Sequence, residues 1–461
     1  MFRCSGVCSQ CGKCHRNPQD KEVRDRKKDL LSLPSDFTPE IEEGYGVAFD
    51  VGTTTVVGIL WDLAHGKIVG SAALTNPQIR YGADVISRIA FSMNEGNLQI
   101  LQHAIVDCLN TILERLCEAH GIGQSSIVRA VACGNTTMSH LLLGIDPGSL
   151  AKAPFTPGYR GVVICRADEL DIHIRTDGTI TVLPNIAGHI GGDITADLLA
   201  VRMEDAASNA LLIDIGTNGE IVLYSHGRMQ ACSTAAGPAF EGASIHQGMR
   251  AAKGVIERFR IKDAEIEFHV IGNVPPIGIC GSGLIDIVAE LLRKGVIDKT
   301  GKLLSTREYT DKYGDTFLAE RIVEDGQGRR LILVSMERGE DIVLTQKDIR
   351  EVQLAKAAIS AGITILLKKA GLAAKDLERI YLAGAFGSFI DRESAVAIGL
   401  LPNVSLEKII PVGNAASAGA LMALTNTAQR TRMQAIPATV EHVDLSAEEG
   451  FHKVFLHAMS F

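Results

Sequence analysis

The chain is 461 residues long, 46% apolar and 22% charged, with a formal net charge of −8. One hydrophobic core rarely grows past roughly 250–300 residues, so this length predicts more than one core. The negative balance excludes nonspecific attraction to nucleic acid. No apolar run approaches the roughly 18 residues of a membrane span, and Arg3 and Cys4 are not followed by the apolar run of a secretory signal. The expectation is a cytoplasmic protein with no nucleic-acid or membrane partner.

Four of the ten cysteines, Cys4, Cys8, Cys11 and Cys14, fall within the first fourteen residues. A secreted disulfide scaffold would be small and would spread its cysteines, so this clustering predicts a metal-binding segment over residues 1–16. The spacing CxxxCxxCxxC crowds four thiolates onto one short loop, which suits a single [4Fe-4S] iron-sulfur cluster. Structural zinc more often joins two knuckles across a longer loop, and stands as the alternative. The order is reversed relative to the bacterial ferredoxin run, and no second set of four cysteines exists for a two-cluster version. His15 reads as a solvated side chain rather than a ligand, and the other six cysteines as buried thiols. Residues 17–44, rich in Lys, Arg, Asp, Glu and Pro, lack a sustained apolar face and read as a charged linker on which the cluster could swing.

From Gly46 the pattern changes to buried strands and helices. The segment AFDVGTTTVVGILWDLAHGKIVGSAA from Ala48 is echoed by LIDIGTNGEIVLYSHGRMQACSTAA from Leu212. Each copy is an apolar strand ending in Asp-x-Gly-Thr, a second strand, a turn at Ala64-His65-Gly66 or Ser225-His226-Gly227, and a third strand, which predicts a β-meander opening each of two lobes. The lobes are placed at 45–205 and 206–425. Helices are expected over Leu101 to Ala119 and Asp348 to Ala370. An insertion in the second lobe is placed near 298–342, with a hairpin in ILVSMERGEDIVL turning at Gly339. The tail, 426–461, is expected to pack back on the body.

A strand ending in Asp50 followed by Gly52, Thr53, Thr54 and Thr55 suits phosphate chemistry. Glycine allows close backbone approach, N–H groups and hydroxyls meet anionic oxygens, and the carboxylate can hold Mg²⁺ through water. One such turn is weak evidence. The second copy, Asp214 with Gly216, Thr217, Asn218 and Gly219, makes the pair a nucleotide-site signal.

Duplicated lobes with two such hairpins resemble the acetate-kinase, sugar-kinase, heat-shock-chaperone and actin superfamily. The resemblance implies an α/β fold of two ribonuclease H-like (actin-like ATPase) lobes clamping ATP and Mg²⁺ in the cleft between them. It implies that Asp50 and Asp214 orient the cation and the attacking water, with the neighbouring threonines and Asn218 lining the phosphates. VACGNTTMSHLLLGI with Gly134 and Asn135 resembles the first interlobe connection, and GICGSGLIDIVAELL with Gly281 and Gly283 the second. IYLAGAFGSFI, with Gly384, Ala385, Phe386 and Gly387, resembles the adenosine loop, and VGNAASAG with Gly413 and Asn414 would complete the pocket.

NPQIRYGADVISRI from Asn76, PNIAGHIGGDITADLL from Pro184, AAGPAFEGASIHQGM from Ala235 and LTQKDIREVQLAKAAISAGI from Leu344 further resemble the reductive activators of corrinoid proteins. That resemblance implies ATP-dependent reduction of Co(II) corrinoid to Co(I) on a methyltransferase's corrinoid protein. An upstream electron donor and a homodimer follow from it. Better-known members resemble this chain only beyond a plant-type [2Fe-2S] domain and a longer linker region, for which about fourteen residues stand here. Asp171-Ile172-His173 lacks the glycine of a corrinoid-binding loop, which puts any corrinoid on the partner. The alternatives are an activator of another low-potential metalloenzyme, a small-molecule kinase using Asp214 or Asp193 as base, and a nonredox ATPase stapled by zinc.

Overall fold

A computed structural model describes residues 31 and 33–461, apart from 207, 263–264, 315–316, 327 and 338. The cysteine cluster at Cys4, Cys8, Cys11 and Cys14, with His15, lies outside the described residues. The first lobe is built on β1 (Tyr45–Val51), β2 (Thr55–Asp62), β3 (Lys67–Thr75), β4 (Ile127–Gly134), β5 (Val163–Arg166) and β6 (Thr179–Val182), in the order β3-β2-β1-β4-β6-β5. β1 runs antiparallel to β2 and parallel to β4. Both faces of this central strand are covered, so Val47, Ala48 and Phe49 are all buried and the sequence reads as a continuous apolar run rather than an alternation.

The second lobe repeats the plan with β7 (Ala210–Ile215), β8 (Gly219–Ser225) and β9 (Arg228–Thr234). Next come β10 (Val255–Lys262), β11 (Glu265–Val270) and β12 (Gly278–Ile279), a small sheet of their own. β13 (Ile322–Asp325), β14 (Gly328–Val334) and β15 (Ile342–Thr345) form an antiparallel sheet inside the expected insertion, with Gly339 at φ +98° between β14 and β15. β16 (Arg379–Ala383), β17 (Ile409–Gly413) and β18 (Val440–His442) complete the main sheet, whose order is β17-β16-β7-β8-β9-β18. The meander order 3-2-1 followed by a parallel strand thus occurs twice. The β8–β9 turn places His226 and Gly227 at φ +51° and +75°, the left-handed pair a tight hairpin requires.

Helices sort by the face they cover. Asn97–His120 lays Leu101, Ile105, Leu109 and Ile112 on the outer face of the first sheet, and Gln346–Lys369 packs on β8 and β9 of the second. Between the two sheets run Gly192–Val201 and Ala415–Thr425, the latter with all eleven residues buried. They join Ala48, Trp61, Leu212 and Ala383 in a core shared by both lobes. At their crossing a Cβ on Gly419 would lie 1.9 Å from the Ala196 carbonyl oxygen, so only glycine permits this approach.

Three expectations are corrected here. The interlobe elements are these two helices, not the segments at Gly134–Asn135 and Gly281–Gly283. Asn135 caps a helix inside the first lobe, Thr136–Leu143, by accepting from the Met138 N–H. Gly281 and Gly283 start Gly281–Arg293, a second-lobe helix whose missing Cβ atoms let it close on the carbonyls of Phe240 and Ile256. Residues 33–44 do not behave as a linker: Leu33 and Phe37 pack on the shared core, as does Leu31, and the Glu40 side chain accepts from Thr427. The reading missed this because these apolar residues sit among charges without a helical or strand period. The chain beyond 425 forms the helix Thr427–Thr439, then β18 at the edge of the second sheet, then Phe451–Ala458 against Gln346–Lys369.

Candidate functional site

The two Asp-tipped hairpins face one another across the cleft between the lobes. In the first, the Gly52 N–H donates to the Thr55 carbonyl at 3.1 Å; in the second, the Gly216 N–H donates to the Asn218 carbonyl at 2.9 Å. The first loop is one residue longer, since Val51 pairs with Val56 while Ile215 pairs with Gly219. A Cβ on Gly52 would meet the Thr55 carbonyl oxygen at 2.5 Å, which fixes glycine at that turn. Thr53 is buried; its hydroxyl accepts from Asn135 Nδ2 at 2.8 Å, so it is spent on holding the loop. The hydroxyls that look across the cleft are those of Thr54 and Thr217. Thr55 is exposed at the start of β2, and Asn218 and Gly219 close the second loop onto β8.

The first hairpin is braced from behind by a group the sequence reading did not single out. Arg88 is fully buried; it donates to the Thr53 carbonyl at 2.6 Å and the Gly82 carbonyl at 2.9 Å, and to Gln78 Oε1 at 3.2 Å. Burial pulls its pKa down to about 10, opposed by the Asp84 carboxylate. Asn76, also fully buried, donates to the Gly52 carbonyl at 2.9 Å. Asn76, Gln78, Gly82, Asp84 and Arg88 all lie in the stretch from Asn76 that carries the family resemblance.

Asp50 and Asp214 keep part of their surface open to the cleft but are otherwise enclosed. Asn414 Nδ2 donates to Asp50 Oδ2 at 2.8 Å and Ser417 Oγ lies 3.4 Å from the same oxygen, so Asn414 orients the Asp50 carboxylate. Asn414 also caps Ala415–Thr425 through the Ser417 N–H, and Gly413 precedes it at φ +71°. Around the two aspartates stand Asp193 and Asp197, one turn apart on Gly192–Val201, and Glu220 on β8. Burial, then the Asp214 and Asp50 carboxylates, push Asp193 up to about 7. Burial and Asp50 push Asp214 up to about 6. Asp50, Asp197 and Glu220 are raised as well, each chiefly by burial. The carboxyl of the fully buried Asp197 meets no N–H or hydroxyl donor and faces the Asp214 carboxyl.

Five carboxylates drawn into one enclosed place, one of them meeting no N–H or hydroxyl donor, fit a divalent cation bound through water and nucleotide oxygens. Among the described residues no three His, Cys, Asp or Glu side chains converge closely enough to cage a metal directly. The i, i+4 spacing of Asp193 and Asp197 was the available signal, although only Asp193 was noticed, as a candidate base.

The adenosine-loop expectation concerns the turn after β16. Gly384 stands at φ +86°, where a Cβ would sit 2.6 Å from Asp214 Oδ1, so this loop is pressed against the second hairpin. Gly384–Gly387, which includes Ala385, forms one helical turn. Phe386 stacks on Phe240 with ring centroids 5.6 Å apart. Phe240 introduces the loop after β9, part of the stretch from Ala235 that carries the family resemblance. There Glu241 accepts from the Thr54 hydroxyl at 3.1 Å and from the Thr217 hydroxyl at 2.5 Å, one oxygen to each lobe.

Two ribonuclease H-like lobes, sharing crossed helices and facing aspartate hairpins, define the ASKHA class, the actin-like ATPase fold. Residues 208–461 match the family described as the C-terminal domain of RACo, the ASKHA domain, and residues 45–206 match the RACo middle region. The chain belongs to the RACo family. It is 37% identical over 433 residues to a corrinoid activation enzyme, RamQ, of Eubacterium limosum, covering 91% of this chain and 71% of that one. It is 26% identical over 453 residues to a [Co(II) methylated amine-specific corrinoid protein] reductase of Methanosarcina barkeri, covering 90% and 77%. Its structure superposes on a reductive activator for corrinoid, iron-sulfur protein with a TM-score of 0.81 and 35% identity, covering 97% of this chain and 73% of the other. No helix among the described residues is long and apolar enough to cross a membrane.

Proposed function

We propose that this chain is an ATP-dependent reductive activator that returns a Co(II) corrinoid, carried by a methyltransferase's corrinoid protein, to Co(I). The observation that carries the reading is the pair of aspartate hairpins closing one cleft in a chain that matches the activator family along both lobes. ATP is held with its phosphates between the hairpins and Mg²⁺ among the five carboxylates. Asp50, oriented by Asn414, and Asp214 position the cation and the attacking water, because phosphoryl transfer is governed by positioning and charge stabilisation. An iron-sulfur cluster on Cys4, Cys8, Cys11 and Cys14 supplies a low-potential electron when bound. A one-electron step uphill by roughly 200 mV costs about 5 kcal/mol, within reach of nucleotide binding and hydrolysis.

The test begins with protein purified without oxygen and assayed for iron, sulfide and zinc. Iron and sulfide that bleach with dithionite are expected; zinc without iron ends the electron-transfer reading. The reduced protein is then mixed with a Co(II) corrinoid methyltransferase component. Co(I) should appear with ATP and not without it. Formation of Co(I) at the same rate in both mixtures removes ATP from the mechanism, and hydroxyl-dependent ADP release would point to a kinase instead.

A further inference from the structure

The Glu241 carboxylate joins the two hairpins directly: Oε2 takes the Thr54 hydroxyl of the first lobe at 3.1 Å and Oε1 the Thr217 hydroxyl of the second at 2.5 Å. No other described side chain hydrogen-bonds both hairpin loops. A carboxylate presents two oxygens to two donors much as a phosphoryl group would, and it carries charge of the same sign. It bridges the loops that follow Asp50 and Asp214, the two hairpin aspartates. Nothing in the acid cluster explains why a further carboxylate belongs between the hairpins.

The loop that delivers Glu241 is firmly rooted on both sides. Before it, Ala239 and Phe240 are buried and Phe240 stacks on Phe386. After it, Gly242 takes φ +81°, a conformation glycine adopts at no steric cost, and a Cβ there would meet the Met249 nitrogen at 2.5 Å. Further on, the His246 N–H donates to Asp348 at 2.7 Å, and Gln247 bonds both the Asp341 carbonyl and the Val343 N–H. The anchorage leaves the Glu241 side chain as the part free to swing.

We propose that Glu241 is an internal anionic ligand of the cleft. It latches the two phosphate-binding threonines together while no nucleotide is bound, and the β- and γ-phosphates of ATP must displace it. The proposal rests on the reading that ATP binds in this cleft, and it adds a specificity rule to that reading. A ligand without phosphates does not contest the threonine hydroxyls, so the latch discriminates by phosphate content. A latch closed about nine times in ten weakens apparent affinity about ten-fold, because only the open fraction binds.

The experiment compares the full chain with its Glu241→Gln and Glu241→Asp variants, purified without oxygen. Calorimetric titrations use MgATP, MgADP and adenosine, and a melting curve of each protein establishes that it is folded. Glu241→Gln keeps the shape but loses the charge, and is expected to bind MgATP about ten-fold more tightly than wild type with adenosine affinity unchanged. Glu241→Asp, one methylene shorter, cannot span both hydroxyls and should bind MgATP more tightly as well. Equal MgATP affinity in wild type and both variants overturns the latch while leaving the nucleotide reading intact. Weaker binding by Glu241→Gln also overturns it, since Glu241 would then help hold the cation. If wild type and both variants all fail to bind any adenine nucleotide, the nucleotide reading falls and takes the latch with it.

Discussion

Arg88 is the residue whose placement is hardest to account for by stability alone. A fully buried guanidinium with no carboxylate within contact is costly to desolvate, and its oxygen acceptors are two backbone carbonyls and an amide, with the Met138 sulfur beside them. What that arrangement secures is the Thr53 carbonyl, hence the path of the loop that aims Thr54 into the cleft. Arg88→Met would relieve the desolvation but leave Thr53 and Gly82 carbonyls unpaired, each worth about 1–3 kcal/mol. A net loss of roughly 1–3 kcal/mol is expected, read as a lower urea midpoint, together with weaker MgATP binding. An unchanged midpoint and unchanged affinity would remove Arg88 from the hairpin's support. Arg88→Lys should recover little of either, because a point-like ammonium cannot serve three acceptors set in a fork.

Residue by residue, the sequence was most informative where one residue type satisfies one geometric demand. Gly52 and Gly384 could be singled out because close backbone approach leaves no room for a side chain. Asp50 and Asp214 could be singled out because their hairpins repeat. What local pattern did not show is that the Thr53 hydroxyl accepts from Asn135 and that the Asn414 side chain steers Asp50. Those bonds connect residues 82 and 364 positions apart, and local pattern does not encode such distances. Glu241 lies in the stretch from Ala235 that carries the resemblance, but its bonds reach residues 187 and 24 positions away.

Among the elements, the crossing of Gly192–Val201 with Ala415–Thr425 carries the mechanical connection between lobes. Close contact at Gly419 means that a side chain there must push the helices apart. Gly419→Ala is expected to cost roughly 1–3 kcal/mol through overpacking against the Ala196 carbonyl. It should also shift Asp193, carried by one of these helices, relative to Asp50, which accepts from the Asn414 cap of the other. The check pairs thermal melting with ATPase rate: a fall in rate larger than the change in folded fraction explains is expected, and a rate that merely follows the folded fraction would deny the crossing a role beyond stability. The sequence placed helices over Leu101 to Ala119 and Asp348 to Ala370 and did not single out this interlobe pair, because nothing in a buried helix says which two sheets bury it.

For the molecule as a whole, the acid cluster dictates a pH response. Asp193 and Asp214, at about 7 and about 6, hold their protons to higher pH than the unfolded chain does, where carboxyls titrate near about 4. Between those limits the native state binds more protons, so this contribution to stability is largest at low pH and is lost as pH rises toward 7. Without nucleotide or Mg²⁺, Asp193→Asn should therefore melt above wild type at pH 7.5, with the gap closing by pH 5. Added Mg²⁺ should raise the wild-type melting temperature at pH 7.5 and do little at pH 5. A gap of constant size across that range would mean the carboxylates do not repel one another. The duplicated meander made this architecture legible from sequence. The convergence of five acids from β1, β7, β8 and one helix did not show, because it exists only once both lobes are assembled.

The pairing of β18 with β9 has a consequence for synthesis and handling of the chain. β18 runs only from Val440 to His442, yet it covers the one side of β9 that β8 leaves unpaired. Until a ribosome has delivered those residues, β9 shows a row of bare N–H and C=O groups to any passing strand. Fragments that stop short of 440 would carry the same adhesive border permanently, and shortening from that end is the surest route to insoluble material.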